Sequence, residues 1–171
     1  KILKIALDAM GGDYAPQALV EGAALAWQEF GPHLILVGDE KAIGQELEKF
    51  PQARPFLQIQ PATEVIEMKD NPAQALRRKR NSSIGVAAEL VKRGEAHAVV
   101  SAGNTGATLA ASLLILKPLK GIDRPAIATF LPTASPQGFS ILLDAGANVD
   151  CKADQLFQFG IMGHVYAQSI L

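Results

Sequence analysis

Two rhythms of apolar positions alternate along the chain. Ile2 to Leu7 reads as a buried strand with no polar interruption on either face until Asp8. After Pro16, a residue suited to a first helical turn, Leu19, Ala23, Ala26, Trp27 and Phe30 recur at helical spacing, and Gly31-Pro32 stops that helix. Leu34 to Val37 predicts a second strand, and Gly38-Asp39 turns into a polar helix near Lys41 to Phe50. Pro51 to Pro55 is a loop, and Phe56, Leu57 and Ile59 mark a weak third strand. Pro72 to Arg80 predicts a short helix. Ile84, Ala87, Ala88 and Val91 form an apolar helical stripe, with Ser82 or Ser83 as its N-cap and Gly94 as its stop. Ala96 to Val100 is a further strand and Ala107 to Leu116 a helix-forming run. Two more strands follow, Ala126 to Leu131 and Phe139 to Leu143. The last helix starts near Lys152 and is still running at Leu171.

Strands alternating with helices predict one α/β domain over 1–171, a three-layer α/β/α arrangement around an open, mostly parallel sheet. Because the pattern stops inside its last helix without a cap, the sequence reads as the N-terminal part of a longer chain. Ligands of such sheets sit beyond the carboxyl ends of the strands. Three Gly-rich turns fall at such ends: Asp8-Ala9-Met10-Gly11-Gly12-Asp13, Ser101-Ala102-Gly103-Asn104-Thr105-Gly106, and Asp144-Ala145-Gly146-Ala147-Asn148-Val149-Asp150.

Composition narrows the chemistry. With 49% hydrophobic and 19% charged residues in 171, a packed core is expected and disorder is not. A net charge of −1 gives no basic field for nucleic acid. Leu109 to Leu116 is too short an apolar run to span a bilayer, and Lys1 to Leu7 runs straight into Asp8 without the form of a leader. One cysteine, Cys151, cannot form an intrachain disulfide and fits a reducing cytoplasm. His33, His97 and His164 are scattered, so no metal site is expected. The chain lacks the G-x-G-x-x-G, G-x-x-x-x-G-K-[ST] and G-x-S-x-G patterns, which argues against a dinucleotide fingerprint, a P-loop and a hydrolase serine.

The turns remain as candidates. Ser101, Asn104 and Thr105 can donate beside backbone N–H groups freed by Gly103 and Gly106, which makes a phosphate cradle; an ordinary helix cap accounts for the same residues. Asp8, Gly11, Gly12 and Asp13 have the same layout, and a simple chain reversal also explains them. Asp144 leaves an apolar strand where catalytic groups often sit. Its carboxylate would repel phosphate, so a pairing or orienting role suits it better, while Asp150 suits a helix cap. Arg77-Arg78-Lys79-Arg80 is the one dense charge run. It stands beside Ser82, Ser83 and a helix start, so it suits a phosphate or an acidic protein surface as well as a solvated helix face. Cys151 has no neighbouring base and is expected to pack.

At these residues the chain resembles the PlsX-type phosphate acyltransferases. The resemblance is carried by Ala6-Leu7-Asp8-Ala9-Met10-Gly11-Gly12-Asp13-Tyr14-Ala15-Pro16, Arg80-Asn81-Ser82-Ser83-Ile84, Ser101 to Ala107, Gly121-Ile122-Asp123-Arg124-Pro125-Ala126 and Leu143 to Lys152, in family order. Tyr14 stands where the family more often has histidine, which argues against an essential imidazole there. The resemblance implies a fold related to phosphotransacetylases and isopropylmalate dehydrogenases. It implies transfer of a fatty acyl group from acyl carrier protein to inorganic phosphate, in a cytoplasmic homodimer, with peripheral association at the inner face of the membrane or with a membrane acyltransferase. It calls for no cofactor. Within it, Asn104, Ser101 and Asp144 are expected to be catalytic. Asp8, Gly11, Gly12, Asp13, Ser82, Ser83, Gly103, Thr105, Gly106, Gly146 and Asn148 are expected to hold phosphate or substrate, and Arg77, Arg78, Lys79 and Arg80 to dock the acidic carrier. As an oxyanion donor Asn104 would contribute about 3–4 kcal/mol, a hundredfold or more in rate. A nicotinamide- or nucleotide-dependent dehydrogenase on a related sheet and a non-catalytic acyl- or phosphate-binding domain are the competing readings.

Overall fold

The structure is a computed structural model that describes residues 3–134, 136, 138–146 and 150–170. The chain divides into two compact units, Lys1–Lys117 and Pro118–Leu171.

The first unit is built on four parallel strands: β1 (Lys4–Asp8), β2 (His33–Gly38), β3 (Leu57–Pro61) and β4 (Ala98–Val100), in the order β3-β2-β1-β4. Strands that bury both faces need apolar residues throughout, and β1 and β2 supply them. Helices α1 (Gln17–Phe30) and α2 (Glu40–Leu47) cover one face, where Val20, Ala23, Ile43 and Leu47 pack on Leu7, Leu36 and Leu57. Helix α4 (Ser83–Lys92) covers the other, with Ala87 and Leu90 on Ala6, Ile35 and Val37. These are the expected three layers. A third cluster joins α3 (Pro72–Arg78), α4 and α5 (Thr105–Ala111) through Leu76, Ile84, Ala107 and Ala111. Helix α5 runs on as a π-helical turn over Ser112–Leu116.

The chain steps outward from β1 to β2 to β3, then returns to the opposite side of β1 as β4. The order therefore reverses between β1 and β4. Their carboxyl ends, Asp8 and Val100, open directly into the first two Gly-rich turns.

The second unit departs from the expected parallel arrangement. Strands β5 (Ala128–Pro132) and β6 (Phe139–Leu143) pair antiparallel as a separate two-stranded sheet. The connection between them is six residues, too short for the crossover that a parallel pair needs. Helix α6 (Ala153–Ile170) packs on β6 at Gly163, where a Cβ would fall 2.7 Å from Leu143 Cδ1.

Candidate functional site

The turns after β1 and β4 touch backbone to backbone. A Cβ on Gly11 would lie 2.9 Å from the Gly103 nitrogen, and one on Gly103 would lie 3.0 Å from Gly11 Cα. Gly12 adopts φ +110°, a conformation costly for any residue with a side chain. Glycine is thus required at 11 and 103 by close approach and at 12 by the backbone itself. The Asp8 carboxylate, 3% exposed, binds the two turns together. Its Oδ2 accepts from the Ser101 hydroxyl at 2.8 Å and its Oδ1 from the Met10 N–H at 3.3 Å, while Ser101 Oγ accepts from the Gly103 N–H at 3.1 Å. Asp8 and Ser101 were expected among the substrate-contacting groups; in this structure their side chains satisfy each other.

Asn104 is occupied as well. Its Oδ1 caps α5 by accepting from the Ala107 N–H at 3.0 Å. Its Nδ2 donates to the carbonyls of Glu67 at 3.1 Å and Met68 at 3.2 Å. In this conformation both amide hydrogens point at backbone carbonyls, so the Asn104 side chain caps α5 and ties it to the 62–71 loop; donation to an oxyanion would require exchange of one of those bonds.

Those carbonyls belong to the loop between β3 and α3, residues 62–71, which motif reasoning passed over. Lys79, at the end of α3, reaches back to it. The Lys79 Nζ donates to the Val65 carbonyl at 2.6 Å and to Asp70 Oδ2 at 2.7 Å, and Asp70 Oδ2 also accepts from the Glu67 N–H at 2.9 Å. The Lys79 hydrogen bond, followed by that of Glu67, holds the Asp70 carboxyl below its ordinary value. The loop faces the first turn across a cavity of about 330 Å³, lined by Met10, Gly12 and Asp13 on one side, residues 65–69 on the other, and Gly103 at its base. This crevice lies outside the strand ends where the order reverses, the usual ligand position in open parallel sheets.

Other expected residues are placed differently. Ser82 and Ser83 are fully buried, 0% and 1% exposed, so no ligand reaches them as they stand. Ser82 belongs to a parallel bridge with Glu64 and Ser83 donates its N–H to the Glu64 carbonyl at 3.0 Å, which fixes the start of the same loop. Gly106 sits against α3, where a Cβ would meet Pro72 Cγ at 2.6 Å; Thr105 is exposed. Arg77, Arg78 and Arg80 are exposed, whereas Lys79 is half-buried in its ion pair. His97, expected inside a strand, precedes β4, and its Nδ1 accepts from the Lys4 N–H at 3.1 Å.

In the second unit Asp144 follows β6 in the left-handed conformation, φ +61°. Its carboxylate is almost wholly buried. Oδ1 lies 3.7 Å from Arg124 Nη2, and Oδ2 accepts from the Cys151 thiol at 3.5 Å. Arg124 was quoted only as part of a motif; its pairing with Asp144 is added by the structure. Gly146 adopts φ +71°, with none of the described residues within 4 Å of where its Cβ would stand, and Asn148 lies outside the described residues. Among the described residues no cluster of histidine, cysteine or carboxylate side chains is suited to a metal, and no helix is long and apolar enough to cross a membrane.

Known proteins resemble this chain in sequence and in fold. The profile of the family described as "Fatty acid synthesis protein" matches residues 3–171. A phosphate acyltransferase of Desulforamulus reducens is 54% identical over 170 residues, covering 99% of this chain and 50% of that protein. One of Pelotomaculum thermopropionicum is 55% identical over 168 residues, covering 98% and 48%. The chain spans about half the length of the curated relatives it matches. Among solved structures, a phosphotransacetylase from Streptococcus pyogenes has a TM-score of 0.69 at 20% identity, over 94% of this chain and 52% of that one. The EutD phosphotransacetylase from Staphylococcus aureus has 0.60 at 18% identity, over 91% and 49%. The structural likenesses show the fold, and the profile settles kinship: the chain belongs to the fatty acid synthesis protein family, in its PlsX-type phosphate acyltransferase branch.

Proposed function

We propose that the complete protein transfers a fatty acyl group from acyl carrier protein to inorganic phosphate, releasing acyl phosphate for phospholipid synthesis. The observation that carries this reading is the crevice at the strand-order reversal, formed by two interlocked Gly-rich turns and walled by the 62–71 loop. Family membership supplies the reaction class.

Phosphate is itself the nucleophile, so the protein need not provide one. A phosphate oxygen attacks the thioester carbonyl, the C–S bond breaks, and the proton carried by phosphate leaves with the thiol. The transfer is redox-neutral and needs no electron carrier. What remains for the protein is to place a dianion against the carbonyl and to stabilise the charge that develops on it. The backbone N–H of Gly12, at the crevice wall without a side chain in the way, is suited to that task, with Thr105 at the start of α5. Arg77, Arg78 and Arg80 offer an exposed basic face for an acidic carrier.

The test is acyl-phosphate formation from acyl carrier protein and inorganic phosphate by the complete protein. Formation of the product supports the reading. Nicotinamide-dependent oxidation without acyl phosphate, or phosphate binding with no transfer at all, replaces it.

A further inference from the structure

The loop that walls the crevice has almost no regular structure of its own. Its buried apolar anchors are Ala62, in the core beside Ile35 and Val37, and Ile66, which packs with Leu76, Ala107 and Ala111. Beyond those anchors it is held by polar bonds from three directions. The start of α4 takes Glu64, Asn104 takes the carbonyls of Glu67 and Met68, and Lys79 takes Val65 and Asp70. The Lys79 ammonium closes residues 65–70 into a ring. It donates to the Val65 carbonyl at one end and to Asp70 at the other, and Asp70 in turn receives the Glu67 N–H. Met68 and Lys69, at the apex, are strongly exposed. The ring ties the far wall of the crevice to the end of α3.

We propose that Lys79 is a positioning residue for acyl transfer. Acting with Asp70, it fixes the 65–70 loop as the far wall of the crevice and is not one of the carrier-docking cations. A side chain that spends two of its three ammonium hydrogens on internal acceptors at 2.6 and 2.7 Å has little to offer a partner protein. Its neighbours Arg77, Arg78 and Arg80 keep that part. The catalytic consequence rests on the acyl-transfer reading above; the closed ring does not.

Two measurements on the complete protein separate those layers. The first is limited trypsin digestion, read at Lys69, whose side chain is 84% exposed. Cleavage of a loop by a slow protease follows the population of its open form. Lys79→Met keeps the aliphatic stem and removes the charge. It is expected to speed the Lys69 cut about tenfold, with Asp70→Asn doing the same and the double variant adding little to either. Lys79→Arg is expected to restore most of the protection. The second measurement is the kinetic split. In Lys79→Met the KM for inorganic phosphate and for acyl donor is expected to rise about tenfold while kcat falls less, because a displaced wall misplaces substrates without removing a reacting group. An unchanged Lys69 cut in both single variants overturns the ring. A faster cut with unchanged KM values overturns the positioning role. A KM rise confined to the carrier-borne donor, abolished by salt and absent in Asp70→Asn, returns Lys79 to the docking face. If the wild-type protein forms no acyl phosphate, the acyl-transfer reading fails; the Lys69 cut still decides the ring, and the dissociation constant for inorganic phosphate, expected to weaken about tenfold in Lys79→Met, then decides its effect on the crevice.

Discussion

The turn after β1 and the turn after β6 look alike in sequence: an Asp-Ala pair at the end of an apolar strand, with glycine within the next two residues. Their physics differs. At Asp8 the backbone is ordinary and the glycines carry the constraint, because Gly11 and Gly103 pass within contact distance and Gly12 is left-handed. At Asp144 the aspartate itself is left-handed, and among the described residues none stands within 4 Å of a Cβ at Gly146. The first turn is shaped by another turn. The second is shaped by its own carboxylate, which is drawn down to Arg124 and Cys151. A Gly-rich turn at a strand end therefore says that something approaches closely or bends sharply, and only the partner tells which.

The sharpest way to break the comparison is to add one methyl group to each turn. In Gly11→Ala the new carbon would stand 2.7 Å from Asp8 Oδ2 and 2.9 Å from both the Gly103 nitrogen and Ser101 Oγ, so the interlocked turns must separate. A loss of about 3 kcal/mol in unfolding free energy is expected, as for overpacked interiors, read as a lower urea midpoint. Gly146→Ala meets no neighbour among the described residues and costs the left-handed backbone, about 1 kcal/mol. Equal losses in the two variants would mean that the turns are shaped alike.

Asn104→Ala comes between them. It removes the α5 cap and the bonds to the Glu67 and Met68 carbonyls. About 1–2 kcal/mol of stability should be lost, a cap and one solvent-shared bond together. Expectation from the sequence alone was a variant that folds normally and turns over a hundredfold slower. Wild-type stability combined with such a rate loss would restore the oxyanion part for Asn104.

How much of this was legible beforehand depended on the range of the interaction. The β1–β4 strands, the α1 stop at Gly31 and the α4 stripe follow from local periodicity, and the three layers follow from those elements. The antiparallel β5–β6 pair was not read because two short apolar runs carry no mark of direction; only the length of their connection does. In the site, the turns were found because glycine and asparagine are rare enough to notice. The 62–71 loop was missed because its lining contribution is largely backbone carbonyls and an exposed Met68, which no residue pattern marks. Lys79 was read with its arginine neighbours because a charge run shows sign but not aim: the ring forms only when α3 folds and points one of four cations inward.

The smallest effect sharpens the same distinction between a wall held by charge and turns held by shape. Asp70 has its carboxyl lowered from the ordinary value, first by the Lys79 hydrogen bond and next by the Glu67 N–H. A carboxylate lowered by folding stabilises the folded state at pH above its unfolded value, about 3.9, and loses that contribution as pH falls through the lower folded value. The loop ring should therefore hold unchanged from neutral pH to about 5, then open progressively in more acid solution while the Gly11–Gly103 backbone contact, set by shape, persists until global unfolding. Amide exchange at Glu67 compared with Gly103 reads the two separately. In Asp70→Asn the acid dependence at Glu67 should vanish and its exchange at neutral pH should already be fast. Because the pair is open to solvent, added salt should partly mimic the substitution. An acid response at Glu67 that survives in Asp70→Asn would place the titrating group outside the Lys79–Asp70 pair.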